Sequence, residues 1–424
     1  MRADLDELLD AGPEEYTEDF IVDDYDPTPP DYNKRTPVAI DIDTNDVVEI
    51  SLDATTRIGM FGPSGSGKTT LAKALISRAR KGGWMAFHGS DVKNDFRTFN
   101  RDGGASKQLR KDTEGLLPGE EPESMERTMA LPHFMAKNYD SRPQYGDIFA
   151  MTLADLSQTE LKFLAGYHQW TSSAAQESFD SILSDLDIEN SSLDYMIQLA
   201  EQSNNTLDRK LDGLKGKKLL TERVDNSLRQ VLSKMDETGV FSLGLKTWRN
   251  YLGGQEHFFQ FYSAKALREL KSMIDNNTIE GNTIVFMDEF HKLAPQGKES
   301  LVKDEFQDLY DISARQKGIA TIISTQRPTQ LPNPENLDDL DFISDLTDVF
   351  LMRGRTPLNE AQWKIIVKSM GVYDGSGGKQ LTKWRKKMQS LERFEGVYIN
   401  SQSHHSVEDC PKIRTLSPLV AHPG

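Results

Sequence analysis

Cysteine is nearly absent: Cys410 is the single one among 424 residues. An internal disulfide is therefore excluded, and so is a cysteine-built zinc cage. His404 and His405 stand near it in sequence, but three such ligands without a fourth do not make a zinc site. No apolar run has the length needed to cross a bilayer, so no membrane span is expected. The opening stretch MRADLDELLD is acidic and lacks the apolar core of a secretory signal. These absences predict a soluble, cytoplasmic protein. Basic charge is also scarce, with 50 Lys and Arg against 66 Asp and Glu and a formal net charge of −16. That balance excludes a protein that coats nucleic acid over its whole surface, and any grip on a phosphate backbone has to come from a local basic loop.

Hydrophobic residues make up 37% of the chain, enough for a substantial core. Residues 1–36 are acidic, Pro-rich and dotted with Tyr, and predict an extended arm. From residue 37 the pattern changes to that of an α/β protein. Val38–Ile42 and Val47–Leu52 alternate as a hairpin does. Arg57–Phe61 and Trp84–His88 are short apolar runs flanking a helical pattern at Thr69–Lys81, where Leu71, Leu75 and Ala79 share one face. Further strands are expected at His257–Tyr262, Thr283–Met287, Ile319–Ser324 and Asp348–Met352, with helices at Ala264–Asp275 and Glu299–Lys317. Strands alternating with helices imply a mostly parallel central sheet covered on both faces. Residues 97–250 show helical spacing at Met151–Tyr167, Leu193–Leu214 and Thr221–Met235 without comparable strands, and predict a large helical insertion. The expected organisation is an arm at 1–36, a first part of the core at 37–96, the insertion at 97–250, a second part of the core at 251–372 and a C-terminal segment at 373–424.

The most specific signal is Gly62-Pro63-Ser64-Gly65-Ser66-Gly67-Lys68-Thr69, followed by Thr70, which fits G-x-x-x-x-G-K-[ST]. Its glycines let successive backbone N–H groups turn inward around phosphates. Lys68 places positive charge on the β and γ phosphates of ATP, and Thr69 offers a hydroxyl to Mg²⁺. An apolar strand leads in and an amphipathic helix leads out, the context that separates such a loop from an ordinary Gly/Ser turn.

Thr283–Met287 runs directly into Asp288 and Glu289. A buried strand ending in two acids sets both carboxylates at the sheet edge beside the phosphate loop. Asp288 is the expected Mg²⁺ holder, since a hard cation prefers oxygen. Glu289 is the expected general base for an attacking water. His291 either reports the nucleotide state or merely packs. The strand at Ile319–Ser324 leads to Gln326, whose amide can touch a γ-phosphate or the water. Arg315, just upstream, is the candidate finger that stabilises charge at a neighbouring subunit's site. Arg353 and Arg355 are its rivals, and all three alternatively read as surface or ion-paired arginines.

Together GPSGSGKT at 62–69, Asp91-Val-Lys93-Asn-Asp95-Phe96, IVFMDEFH at 284–291, ARQKG at 314–318 and STQRP at 324–328 resemble the HerA–FtsK family of P-loop translocases. The resemblance implies a RecA-like P-loop core, a helical bundle inserted in it, homohexameric rings and double-stranded DNA in the pore. HerA proteins carry a β-barrel before the ATPase, for which the stretch ahead of residue 62 is short. Members without the barrel resemble genome-packaging ATPases of tailless double-stranded DNA viruses, which implies a capsid or vertex protein as a further partner. Cellular or plasmid translocases and conjugation motors belong to the same class, and a protein-remodelling or assembly ATPase is the alternative of another class. Two basic runs, Arg209-Lys210 to Lys218 and Lys383-Trp384-Arg385-Lys386-Lys387, either track a phosphate backbone or form solvated helix faces.

Overall fold

The computed structural model describes residues 32, 35–101, 117, 120, 123–133, 146–217, 219–222, 225–246, 256–309, 318–331, 342–373 and 378–421. The expected arm before residue 32, Lys218, and the candidate finger Arg315 lie outside the described residues.

The strands are β1 (Thr36–Asp41), β2 (Val47–Ile50), β3 (Arg57–Phe61), β4 (Met85–Asp91), β5 (Thr128–Pro132), β6 (Asp147–Phe149), β7 (Val240–Gly244), β8 (Thr283–Met287), β9 (Ile319–Thr325), β10 (Asp348–Met352), β11 (Glu395–Asn400) and β12 (Lys412–Thr415). They form one sheet in the order β2-β1-β12-β11-β10-β3-β9-β8-β4-β7-β5-β6. From β10 to β6 every pairing is parallel. On the other side, β11, β12, β1 and β2 add an antiparallel flank. The α/β core with a mostly parallel central sheet is thus the observed fold.

The parallel strands are apolar almost throughout because both faces are covered. In β8, Ile284 and Phe286 join the layer beneath helix α1 (Lys68–Lys81), with its Leu71, Leu75 and Ile76. Val285 and Met287 point the other way, into the larger core. Six helices between β6 and β7 pack there: α2 (Gln158–Leu164), α3 (Ser173–Asp185), α4 (Leu193–Ser203), α5 (Asn205–Gly216), α6 (Leu228–Ser233) and α7 (Met235–Thr238). They share that core with α8 (Glu256–Asp275), α9 (Phe290–Leu293) and α10 (Leu301–Asp308). Helices α11 (Glu360–Ser369) and α12 (Gly378–Ser390) cross from β10 to β11.

Four expectations need correction. His257–Tyr262 is not a strand but the first turns of α8, whose residues from His257 to Leu267 are all buried. A helix hydrophobic all round carries no period to distinguish it from a core strand. Residues 97–250 are not free of strands: β5, β6 and β7 extend the parallel sheet beyond β4. The run at Leu193–Leu214 is two helices, broken where the Asn204 side chain accepts from the N–H groups of Thr206 and Leu207. The run at Thr221–Met235 starts at a Ser227 cap instead, with Gln230 closing a capping box.

Candidate active site

Parallel strands aim their C-terminal ends at one edge, and all the motif residues described meet there. Strand β9 lies between β3 and β8, so the sensor strand separates the phosphate loop from the carboxylates. The Gly62 N–H donates to the Thr325 carbonyl at 3.2 Å, locking the loop's first residue to the end of β9. A Cβ on Gly62 would stand 2.6 Å from the Met352 carbonyl oxygen and 2.6 Å from Ser66 Oγ. Gly65 (φ 72°) and Gly67 (φ 95°) hold the left-handed conformations that glycine adopts freely.

Lys68 is 7% exposed. Its ammonium donates to the carbonyls of Gly62 at 2.6 Å and Pro63 at 3.1 Å. Burial pushes the Lys68 ammonium down to about 8, with Asp288 pulling the other way. Ser66 Oγ is buried and has no hydrogen-bond partner. Thr69 and Thr70 open α1, whose first turn holds no acidic side chain. A lysine folded back on its own loop, an orphaned hydroxyl and a helix start without negative charge fit a polyphosphate.

Asp288 and Glu289 are both buried. Ser90, at the end of β4, fixes the turn: its hydroxyl donates to the Asp288 carbonyl at 3.0 Å and accepts from the Asp288 N–H at 2.8 Å. Burial alone would raise the Asp288 carboxyl; Lys93, with Nζ 3.7 Å from Oδ2, and Lys68 outweigh it and hold the group below its usual range. Asp288 is thus a charged carboxylate at the edge that carries the phosphate loop. Among the described residues no three His, Cys, Asp or Glu side chains form a metal cage. A magnesium ion at this edge would draw on Thr69, Asp288, water and the substrate's own phosphates.

Glu289 sits in the left-handed region, with φ 53°. A carboxylate residue held there stores backbone strain, and such outliers gather at functional sites. Its Oε1 accepts from the Gln326 amide. Its Oε2 is buried without a hydrogen bond, with Lys292 Nζ and His291 Nδ1 both 3.6 Å away. His291 Nδ1 lies 2.8 Å from Thr325 Oγ1, so the ring ties the carboxylate turn to the end of β9. Burial, opposed by Glu289, brings the His291 imidazole down to about 4, leaving it neutral at physiological pH.

The rival arginines separate cleanly. Arg353 donates to the Gln389 carbonyl at the end of α12 at 2.8 Å, while Arg355 is exposed. Sequence reasoning alone assigns no role to Ser90 or to Lys93. The position of both at the exit of β4 is the signal that points to them. Gly354 escapes it as well, although a Cβ there would stand 3.0 Å from Pro63 Cγ and 3.1 Å from the Ser64 carbonyl oxygen.

The class that this fold and site define is the P-loop ATPases, with ATP and Mg²⁺ as the matching ligands. Residues 46–234 match the family model described as ABC transporter, a stretch that contains the phosphate loop and ends before the carboxylates. No curated protein matches the sequence. Among solved structures, VirB4 of Thermoanaerobacter pseudethanolicus is similar over 90% of this chain and 95% of its own, at 9% identity and a TM-score of 0.55. The plasmid coupling protein TrwB with the GTP analogue GDPNP covers 86% of each chain at 10% identity and a TM-score of 0.49. The genome packaging NTPase B204 from Sulfolobus turreted icosahedral virus 2, with AMP, covers 87% of this chain and 99% of its own at 10% identity and a TM-score of 0.31. At such identities the VirB4 likeness establishes the fold, and the resemblance to HerA–FtsK ATPases stands at that level.

Proposed function

We propose that this chain is an ATP-driven motor that moves double-stranded DNA as a homo-oligomeric, six-membered ring, and that its task is to package a viral genome. The observation that carries the motor reading is the Glu289–Gln326 pair. One carboxylate oxygen is held by an amide while the other is buried without a hydrogen bond. A scaffold that only binds nucleotide needs Lys68 and Thr69 but not a strained, oriented base. In our reading Lys68 leaves the carbonyls of Gly62 and Pro63 for the β and γ phosphates. Glu289 Oε2 takes a proton from the water that attacks the γ phosphorus, and the bond to the β–γ bridging oxygen breaks to leave ADP. Gln326 fixes the carboxylate and passes its state to β9. Bound magnesium, held by Thr69 and Asp288, would neutralise charge on the phosphates. Arg315 supplies the finger to a neighbouring subunit.

DNA as the cargo is supported by the motif run that resembles HerA–FtsK translocases. Packaging, with a capsid or vertex protein as partner, is supported by the resemblance of the same motifs to genome-packaging ATPases of tailless double-stranded DNA viruses. The test is the ATPase rate with and without linear double-stranded DNA, beside Glu289→Gln. We expect DNA to raise the rate, and the variant to lose about 10²-fold or more of it while still binding ATP. Brisk hydrolysis indifferent to DNA would sink the translocase and leave a protein-directed ATPase.

A further inference from the structure

Among the described residues only two large hydrophobic side chains are exposed, Tyr195 and Phe394. Tyr195 lies on α4 in the insertion, whereas Phe394 stands at the site. A Cβ on Gly67 would lie 3.5 Å from Phe394 Cδ1, so the ring borders the phosphate loop just where α1 begins. Phe394 immediately precedes β11, at the same edge where β3 and β10 end. Its N–H donates to the Arg353 carbonyl at 3.0 Å, fixing the turn against the end of β10. The turn holds Phe394 at φ 72°, a left-handed conformation in which a bulky residue is a genuine outlier. Glycine or asparagine would fill that position without the steric cost. Arg393 adds a guanidinium 4.3 Å from the ring centroid, a cation over one aromatic face.

A strained backbone that presents an exposed aromatic to solvent gains nothing for folding. Resting on the ATPase reading above, we propose that Phe394, with Arg393 against one of its faces, is the platform on which the adenine ring of ATP stacks. With the triphosphate in the loop at 62–69, the ribose and base leave that loop past Gly67, and Phe394 offers an apolar plane there. Stacking reads a flat π-surface rather than hydrogen-bonding edges, so the platform by itself does not select adenine over other bases.

The test compares binding of a non-hydrolysable ATP analogue with binding of inorganic tripolyphosphate, which has no base, by calorimetry on the full chain. Phe394→Ala is expected to weaken the analogue about tenfold and leave tripolyphosphate unchanged. Phe394→Gly should show the same loss with an undiminished melting temperature, because glycine is at ease at that φ. Phe394→Trp should bind the analogue within about twofold of the parent. Unchanged analogue binding in both Phe394→Ala and Phe394→Gly overturns the proposal, including when the assembly size changes instead. Equal loss of both ligands overturns it too, since Phe394 then only braces the loop. If the parent protein binds neither ligand, the ATPase reading itself has failed.

Discussion

Lys68 folds back on its own loop. Burial has pushed its ammonium down to about 8 while it donates to two backbone carbonyls. A triphosphate supplies negative charge and raises that value again. Below about pH 8 the ammonium is charged with and without ligand, and affinity does not depend on its titration. Above it the empty protein loses a proton that the complex keeps, so affinity falls by about tenfold per pH unit until the complex also titrates. Calorimetric titration at about pH 9 in buffers of different ionisation enthalpy should therefore show proton uptake on binding. Affinity that stays flat from about pH 7.5 to 9.5 would mean Lys68 keeps its proton in the empty loop. The placing of the loop, Asp288, Glu289 and Gln326 at one sheet edge was legible because each motif is contiguous in sequence and sits at a strand exit. The placing of Ser90 and Phe394 beside them was not, because it comes from β4 lying beside β8 and β11 beside β10, pairings that bridge tens to hundreds of residues.

Elements were legible where their period was clean and illegible where burial erased it. Strands β3, β8 and β10 fall where the apolar runs predict them, while the start of α8 reads as a strand because it is buried all round. That same helix carries the ion pairs that join α2 to α10. Arg268 reaches Glu160 of α2 at 2.9 Å and, through its Nε, Glu305 of α10 at 2.7 Å. Lys265 stands 3.5 Å from Glu160, and Lys271 pairs with Asp308. Glu160 and Glu305 are both buried, so removing Arg268 takes the shared guanidinium from two carboxylates in low dielectric and leaves Glu160 with Lys265 and the Ser157 N–H, and Glu305 with Lys271 at 3.8 Å. Arg268 itself is 39% exposed, and solvent screening trims the loss. Arg268→Ala should destabilise the fold by about 2–3 kcal/mol in chemical denaturation, and adding Glu160→Gln should recover part of it. Purely additive losses would show that the residues do not act as one network.

For the molecule as a whole, the net charge of −16 confines any DNA contact of the proposed motor to local basic groups. Four cations of the two basic runs that invited a nucleic-acid reading have partners within the protein. Lys215 pairs with Asp194, Lys383 with Glu408, and Arg385 with both oxygens of Glu360, at 2.7 and 2.8 Å. Lys387 donates to the carbonyls of Val407 and Cys410, and Trp384 is wholly buried, stacked at 6.3 Å on Trp363. The aromatic among the cations is therefore a core residue that anchors α12 on α11 and cannot stack on a base. Every phosphate a protein neutralises steepens the fall of log affinity with log salt by about 0.9. A Lys383→Ala, Arg385→Ala double variant should accordingly keep DNA-stimulated hydrolysis within about twofold and leave the salt slope unchanged. A slope that becomes shallower by about two in that variant would place the DNA on α12 after all, since both side chains would then have been neutralising phosphates.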